Sequence, residues 1–215
     1  MLWGAKNKKT LLLTGILLLI AVATVFLLLL RPHSEDATTS ATEVINFTTD
    51  TPDETKPDDT FAWKGNANDP KKIIIPSLNI DNFIQNVGVD QNKQIAAPNN
   101  VHVAGWFVDG ARPGDRGLSI IDGHLNGRQS DGVFLNLDKA ETGMEFSVKF
   151  GDGSTRKFVI KNVQTVNLDQ AANVLFSQDP NIKSQLNLIT CGGNFDADAR
   201  LYDKRVIVIA TKADT

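Results

Sequence analysis

The sequence contains a single cysteine, Cys191, among its 215 residues, and this scarcity limits how the chain can be stabilised. One cysteine cannot form an internal disulfide, so the folded part must be stable through its hydrophobic core. The net charge of -3 provides no basic excess of the kind that accompanies nucleic-acid binding. No Cys/His cluster has zinc-site spacing, and no glycine-rich loop has a nucleotide-binding pattern. With a disulfide and a zinc site excluded, the role of the Cys191 thiol has to be found elsewhere in the sequence.

The longest hydrophobic run lies near the N-terminus. The residues from Leu11 to Leu30 carry no charge, and as a helix they would span roughly 30 Å, the thickness of a bilayer core. Three lysines precede the run, whereas Arg31 is the only Lys or Arg among the next two dozen residues. We therefore predict a cytoplasmic N-terminus at 1–9, a transmembrane signal anchor at 10–30 and an extracellular remainder. A cleaved signal peptide is the alternative, although its apolar region is usually only about 7–15 residues long.

A polar segment follows, from residue 31 to residue 68. It is rich in Thr, Asp, Glu and Pro and lacks periodic apolar residues, so it cannot bury enough surface to offset the entropy lost on ordering. We predict a disordered extracellular stalk that holds a folded domain, residues 69–215, away from the membrane. Phe61 and Trp63 are the candidates for its first contact with that domain.

Short strands dominate the pattern after Asp69. The run "MEFSVKF" alternates apolar and polar residues, and Asp152-Gly153 predicts a turn between it and the β-branched run "RKFVIKNVQTV". The runs "GLSIIDGH" and "QLNLITCGG" are apolar strands that end in glycines, whereas "NLDQAANVLFSQ" is consistent with a short helix. Repeated short strands with turn signals favour a β-barrel or a β-sandwich.

Three chemically useful side chains fall at the predicted strand ends. Cys191 ends one strand, Arg205 begins the last strand after the loop 192–204, and His124 follows the strand "SIID". If the last two strands are antiparallel, Cys191 and Arg205 flank one loop. If the strand before His124 runs parallel to the cysteine strand, His124 shares that rim.

This triplet suits acyl transfer through a thioester. A cysteine thiolate is a strong nucleophile, but a free thiol with a pKa near 8.5 is mostly protonated at neutral pH, so a neighbouring cation assists it. His124 would then give a proton to a leaving amine, and Arg205 would donate hydrogen bonds to the developing oxyanion. Each residue alone also has a plain structural explanation, as a small core residue, a loop histidine and a solvated charge.

The order of motifs resembles the sortases, the cysteine transpeptidases of Gram-positive cell surfaces. A hydrophobic anchor and a polar segment precede "IIIPSLNID", "DGH", "LITC" and "YDKRVIVIA". The cysteine motif of the family, TLxTC, corresponds to Asn187–Cys191, with asparagine in place of the first threonine. The family's catalytic histidine and arginine correspond to His124 and Arg205. The run "VAGWF" and the segment ending in "SIIDGH" look most like the class E and F sortases.

The resemblance implies a mainly β fold, the eight-stranded sortase barrel with short helices. The implied substrate is an LPXTG-like sorting signal near the C-terminus of a secreted protein, transferred to an amine of a peptidoglycan precursor or a pilin lysine. No metal or cofactor is implied. The connection before the cysteine strand would form one wall of the substrate groove. The candidate substrate-binding residues are Thr190, Val166, Leu168 and Ala172, although the apolar ones could equally pack on the barrel.

Other interpretations remain open from the sequence. His102 is an alternative general acid, and Arg200 is an alternative to Arg205. A non-enzymatic alternative is a membrane-tethered β-barrel module, catalytically inactive, that binds sorting signals or wall components, with Cys191 as core filler. An L,D-transpeptidase would carry a histidine just before its cysteine, and a papain-type peptidase would place the cysteine before the histidine. Neither pattern is present here.

Overall fold

The computed structural model describes residues 42–213, and the fold is mainly β within that range. Two short 3-10 turns lie at Pro76–Leu78 and Leu137–Lys139. The strands and the α-helix are β1 (Val44–Ile45), β2 (Pro70–Ile75), β3 (Ile80–Val87), β4 (Ala104–Phe107), β5 (Gly117–Asp122), β6 (Glu145–Phe150), β7 (Thr155–Asn167), α1 (Leu168–Leu175), β8 (Ser184–Asp196) and β9 (Leu201–Lys212).

Eight of these strands close into a barrel. The sheet has the order β1-β3-β2-β6-β7-β9-β8-β5-β4, and β4 returns to pair with β3. The two-residue strand β1 is added to β3 outside this ring. The predicted eight-stranded, mainly β barrel is therefore confirmed, with α1 as the one α-helix among residues 42–213.

The interior of the barrel is filled by alternate side chains of its strands. In β6, Phe146, Val148 and Phe150 are buried, whereas Glu145 and Lys149 are exposed, as the alternation in the sequence predicts. The strand ends at Phe150 in the turn predicted at Asp152-Gly153, and the chain returns antiparallel as β7. This core supplies the stability that a chain without a disulfide needs.

A second apolar layer lies on the outer face of the barrel, under α1. It comprises Ile120 of β5, Ile207 of β9 and Leu175 of α1, with Val166 and Ile189 partly buried beside them. We call these five residues the outer cluster. Because side chains alternate along a strand, the residue two positions after Ile189, which is Cys191, faces the same side of the sheet.

The segment 42–68 follows a defined path along the barrel. Ile45 is buried where β1 pairs with β3. The indole Nε1 of Trp63 donates a hydrogen bond to the carbonyl of Ile84 at 2.9 Å, and the ring of Phe61 lies 4.7 Å from that of Phe83. The prediction of a disordered stalk is therefore wrong over 42–68, because a few apolar anchors and side-chain hydrogen bonds fix it. We call this segment the arm.

Three predicted segments lie outside the described residues. These are the cytoplasmic N-terminus at 1–9, the transmembrane segment at 10–30 and the first part of the predicted stalk, 31–41. Within 42–213, no helix is long and apolar enough to span a bilayer.

Candidate active site

Cys191 and Arg205 are brought together by the pairing of β8 with β9. The two strands are antiparallel, and Cys191 lies directly opposite Arg205 in their register. The antiparallel pairing on which the sequence prediction depended is therefore present. The strands continue beyond this point, however, to Asp196 and from Leu201. The predicted loop 192–204 is instead the outer part of a long hairpin.

His124 reaches the same rim because β5 runs parallel to β8. Asp122, the last residue of β5, pairs with Ile189, so His124 follows just beyond the strand end, as Cys191 follows on β8. A buried hydrogen bond ties the end of β5 to β8, since Thr190 Oγ1 donates to the carbonyl of Gly123 at 2.8 Å. Thr190, which precedes Cys191, and Gly123, which precedes His124, are thus joined by a hydrogen bond.

The imidazole of His124 has a defined tautomer. Its Nε2 lies 2.7 Å from the carbonyl oxygen of Pro98. A carbonyl oxygen only accepts hydrogen bonds, so Nε2 carries a proton whether the ring is neutral or charged. The nitrogen that gains and loses a proton is therefore Nδ1.

Burial favours the uncharged forms of both the thiol and the imidazole. Desolvation lowers the pKa of His124, and the hydrogen bond to the Pro98 carbonyl offsets this only in part. Desolvation also raises the pKa of Cys191, although the positive charge of Arg205 acts in the opposite direction. The thiol therefore has the higher pKa of the two groups, and the ion pair of thiolate and imidazolium is a minor form at any pH.

The guanidinium of Arg205 is oriented by backbone carbonyls. Its Nη1 donates to the carbonyl oxygen of Tyr202 at 3.0 Å and to that of Lys204 at 2.8 Å. The alternative arginine, Arg200, lies near the hairpin tip, is mostly exposed and faces Asp50 of the arm at 3.5 Å. Of the two arginines, Arg205 is the one placed beside the thiol.

A carboxyl group that the sequence did not indicate lies beside these groups. Asp122 has its Oδ1 buried without a hydrogen-bond partner, and it packs so close to Gly105 that a Cβ there would collide with it. Desolvation raises the pKa of Asp122 well above the usual range, and its negative charge raises the pKa of Cys191. The only sequence signal was its position, two residues before His124 at the end of an apolar strand.

The predicted substrate-binding residues divide into two groups. Thr190 is buried, and its hydroxyl donates a hydrogen bond to the Gly123 carbonyl. Val166 lies opposite Arg205 in the β7–β9 register and belongs to the outer cluster. Leu168 and Ala172 are exposed on α1. The first two are therefore part of the barrel wall, whereas the last two lie on the surface.

The alternative histidine, His102, contacts the arm. It lies in the turn before β4, and its Nε2 is 3.1 Å from the carbonyl oxygen of Glu54. Within residues 42–213, no group of three or more His, Cys, Asp or Glu side chains is arranged to hold a metal ion.

The barrel, with a thiol, an imidazole and a guanidinium at one rim, defines the class of protein. Residues 73–213 match the family model of the sortase domain, which is most of the chain. The chain belongs to the sortase family.

Solved structures of sortases share this fold. Sortase A from Corynebacterium diphtheriae, a lid mutant, superposes with a TM-score of 0.53 at 22% identity, covering 71% of this chain and 74% of that one. Sortase C-1 from Actinomyces oris gives a TM-score of 0.50 at 22% identity, covering 68% of this chain and 76% of that one. No curated protein sequence matches the chain.

Proposed function

We propose that the protein is a cell-surface transpeptidase that cleaves an LPXTG-like sorting signal through a thioester on Cys191. The observation that carries the proposal is the joint placement of Cys191, Arg205 and His124 at one barrel rim, through the β8–β9 register and the parallel β5–β8 pair. This arrangement supplies a nucleophile from β8, a cation from β9 and a proton-transfer group from just beyond the end of β5.

The first half of the reaction forms the acyl-enzyme. The Cys191 thiol gives its proton to Nδ1 of His124, and the thiolate attacks the carbonyl carbon of the threonine in the sorting signal. Arg205 stabilises the negative charge that develops on the carbonyl oxygen. The threonine–glycine C–N bond then breaks, and His124 returns its proton to the leaving amine.

The second half transfers the acyl group. An acceptor amine attacks the thioester carbonyl, and His124 takes the proton that the amine loses. The C–S bond breaks, and the leaving thiolate takes that proton from His124, which restores the thiol and the neutral imidazole. A peptidoglycan precursor or a pilin lysine provides such an amine. The exposed α1 residues Leu168 and Ala172 are proposed contacts of the sorting signal.

The location of the protein is part of the proposal. The uncharged run Leu11–Leu30, with three lysines before it, supports a single membrane anchor with the catalytic domain outside the cell. The motifs around "SIIDGH" and "VAGWF" support placement with the class E and F sortases.

One observation favours a second candidate, a sorting-signal-binding module without turnover. Burial raises the pKa of Cys191 and lowers that of His124, which keeps both groups uncharged at neutral pH. In such a module, Cys191 would resist a small alkylating agent until the protein unfolds. In the enzyme, the folded protein reacts, and the reaction slows when His124 or Arg205 is replaced.

A further inference from the structure

Residues 53–55 of the arm lie between two segments that hold His124. One is the chain 98–101, whose Pro98 carbonyl accepts the hydrogen bond from the histidine ring. The other is the short hairpin that begins at His124 itself and returns to Phe134, which we call the histidine hairpin. The position of the imidazole depends on both segments, since one holds its ring and the other its backbone.

The histidine hairpin is built on backbone hydrogen bonds and has a tight tip. At its base, the Phe134 N–H donates to the His124 carbonyl at 3.0 Å. One step further, Asn126 bridges to Asp131, and the Gly127 N–H donates to the Ser130 carbonyl at 2.7 Å. This leaves the amides of residues 128 and 129 at the tip in need of an acceptor from elsewhere.

The carboxylate of Glu54 supplies that acceptor. Its Oε1 accepts the Arg128 N–H at 2.7 Å, and its Oε2 accepts the Gln129 N–H at 3.0 Å and the Ser130 hydroxyl at 2.8 Å. These bonds also lower the pKa of Glu54, so the side chain is ionised at neutral pH. One arm residue thus caps the whole tip with three charge-assisted hydrogen bonds.

A glycine at the tip makes room for this carboxylate. A Cβ on Gly127 would lie 2.7 Å from Cδ of Glu54 and within 2.9 Å of both its oxygens. The Gly127 backbone does not adopt a positive φ, so alanine is compatible with its conformation. Alanine at this position would therefore displace the end of the Glu54 side chain without straining the hairpin.

The neighbours of Glu54 bind the other segment at the same time. The Asp53 N–H donates to the Asn99 carbonyl at 2.8 Å, and the Val101 N–H donates to the Asp53 carbonyl at 2.9 Å. The side-chain amide of Asn100 donates to the Thr55 carbonyl, also at 2.9 Å. Three consecutive arm residues therefore join the segment that holds the imidazole to the hairpin that carries it.

We infer that Glu54 is a positioning residue for His124, and that the arm completes the active site through this clamp. The inference rests on the proposed function, because it assigns Glu54 a role in the proton transfers of that reaction. Glu54 itself touches neither the substrate nor the reacting atoms, so its effect must pass through the histidine hairpin.

The test compares Glu54→Ala and Gly127→Ala in the full-length chain, with turnover of an LPXTG-type peptide and hydrogen exchange of residues 125–133 as readouts. Both variants are expected to lose exchange protection at Arg128 and Gln129. Both should lower kcat by about tenfold with KM little changed, because a histidine displaced by a fraction of an ångström slows proton transfer. Glu54→Gln, which keeps one carbonyl oxygen, should fall between Glu54→Ala and wild type.

The double variant separates a shared role from two independent ones. If Gly127→Ala acts by displacing the carboxylate, it adds nothing to Glu54→Ala. The matched control is Glu43→Gln, since Glu43 is an arm carboxylate that pairs with Lys64 and does not contact the hairpin. It should leave kcat and exchange protection as in wild type.

Two outcomes would overturn the inference. The first is a wild-type kcat in Glu54→Ala although hydrogen-exchange protection at the tip is lost. The second is a double variant whose loss of kcat equals the product of the losses in the two single variants, Glu54→Ala and Gly127→Ala. If the wild-type protein itself showed no turnover, the proposed function would fail, but the clamp would still be tested. The His124 ring signals in NMR should then shift in Glu54→Ala, and unchanged signals would rule the clamp out.

Discussion

Cys191 and Arg205 face each other across the β8–β9 pair, each at a place where its strand continues into the outer hairpin. The backbone thus fixes a cation beside the thiol independently of any loop conformation. Arg205 is further held by the carbonyls of Tyr202 and Lys204, so the guanidinium is oriented before a substrate arrives. Such preorganised charge is worth most where a negative charge develops during the reaction.

Replacement of Arg205 by glutamine should lower peptide turnover by roughly 10²–10³-fold, the usual effect of removing one oxyanion donor. It should also raise the pKa of Cys191 further, because the positive charge that lowers it is lost. The alkylation rate of the folded protein, followed against pH, measures this second effect. Arg200→Gln is the control, and wild-type turnover in Arg205→Gln would refute the assigned role.

The pH profile of kcat/KM should be bell-shaped, with limbs set by His124 and Cys191. The acid limb should fall below the ordinary pKa of histidine, because burial lowers the pKa of His124. The alkaline limb should lie above the ordinary pKa of cysteine, because burial raises the pKa of Cys191. An acid limb at or above the ordinary pKa of histidine would contradict this account.

Both His124→Ala and Cys191→Ala should nearly abolish peptide turnover while keeping the fold.

Asp122→Asn should make Cys191 more reactive. The ionised carboxylate raises the pKa of Cys191, and asparagine removes that charge with little change in shape. Alkylation of the folded variant at mildly alkaline pH should therefore be faster than in wild type. Slower alkylation would mean that Asp122 supports the thiolate instead of opposing it.

The same variant should change how stability depends on pH. A carboxyl group whose pKa is raised by folding stabilises the fold only while it is protonated, and that contribution is lost as the pH rises through the folded pKa. Asp122→Asn should therefore have a higher Tm than wild type at alkaline pH, with the difference shrinking toward about pH 4, near the unfolded pKa of aspartate. A difference that does not vary with pH would exclude this origin.

Removal of the arm should destabilise the catalytic domain. A chain that begins at residue 69 lacks Ile45, Phe61 and Trp63, whereas one that begins at residue 42 keeps them. The shorter chain should lose roughly 2 kcal/mol or more of unfolding free energy, the usual cost of deleting one large buried side chain. Urea unfolding of the two chains measures this, and equal midpoints and slopes would show that the arm contributes nothing.

A shared rim for Cys191, His124 and Arg205 could be proposed from the sequence, because apolar strand runs and the glycines that follow them are visible in it. Apolar β-branched runs stop at glycines or at turn residues, which places the three residues relative to their strands. The relative directions of the strands stayed open in the sequence, and the structure supplies them as a parallel β5–β8 pair and an antiparallel β8–β9 pair. The alternation in "MEFSVKF" likewise assigned Phe146 and Val148 to the core. These features are local and repeat with a period of two residues.

The arm, the outer hairpin and the role of Asp122 could not be predicted in the same way. The arm is held by scattered anchors such as Ile45 and Trp63 and by hydrogen bonds to residues far away in the chain, none of which leaves a periodic pattern. The outer hairpin is exposed and has no apolar alternation in its sequence, and it is a strand pair because its backbone continues the β8–β9 ladder and Phe195 packs against Tyr202 across it. A carboxyl at a strand end is usually solvated, so the burial of Asp122 appears only in the folded barrel.

The most direct test is mass spectrometry of the domain that begins at residue 42, mixed with an LPXTG-type peptide library and an oligoglycine amine. The account predicts a thioester adduct on Cys191 and a product joined to the amine, and both should be absent in Cys191→Ala. The contradicting result is intact unmodified protein in which Cys191 reacts with an alkylating agent only after the domain unfolds. That result would rule out the transpeptidase activity and favour the sorting-signal-binding module.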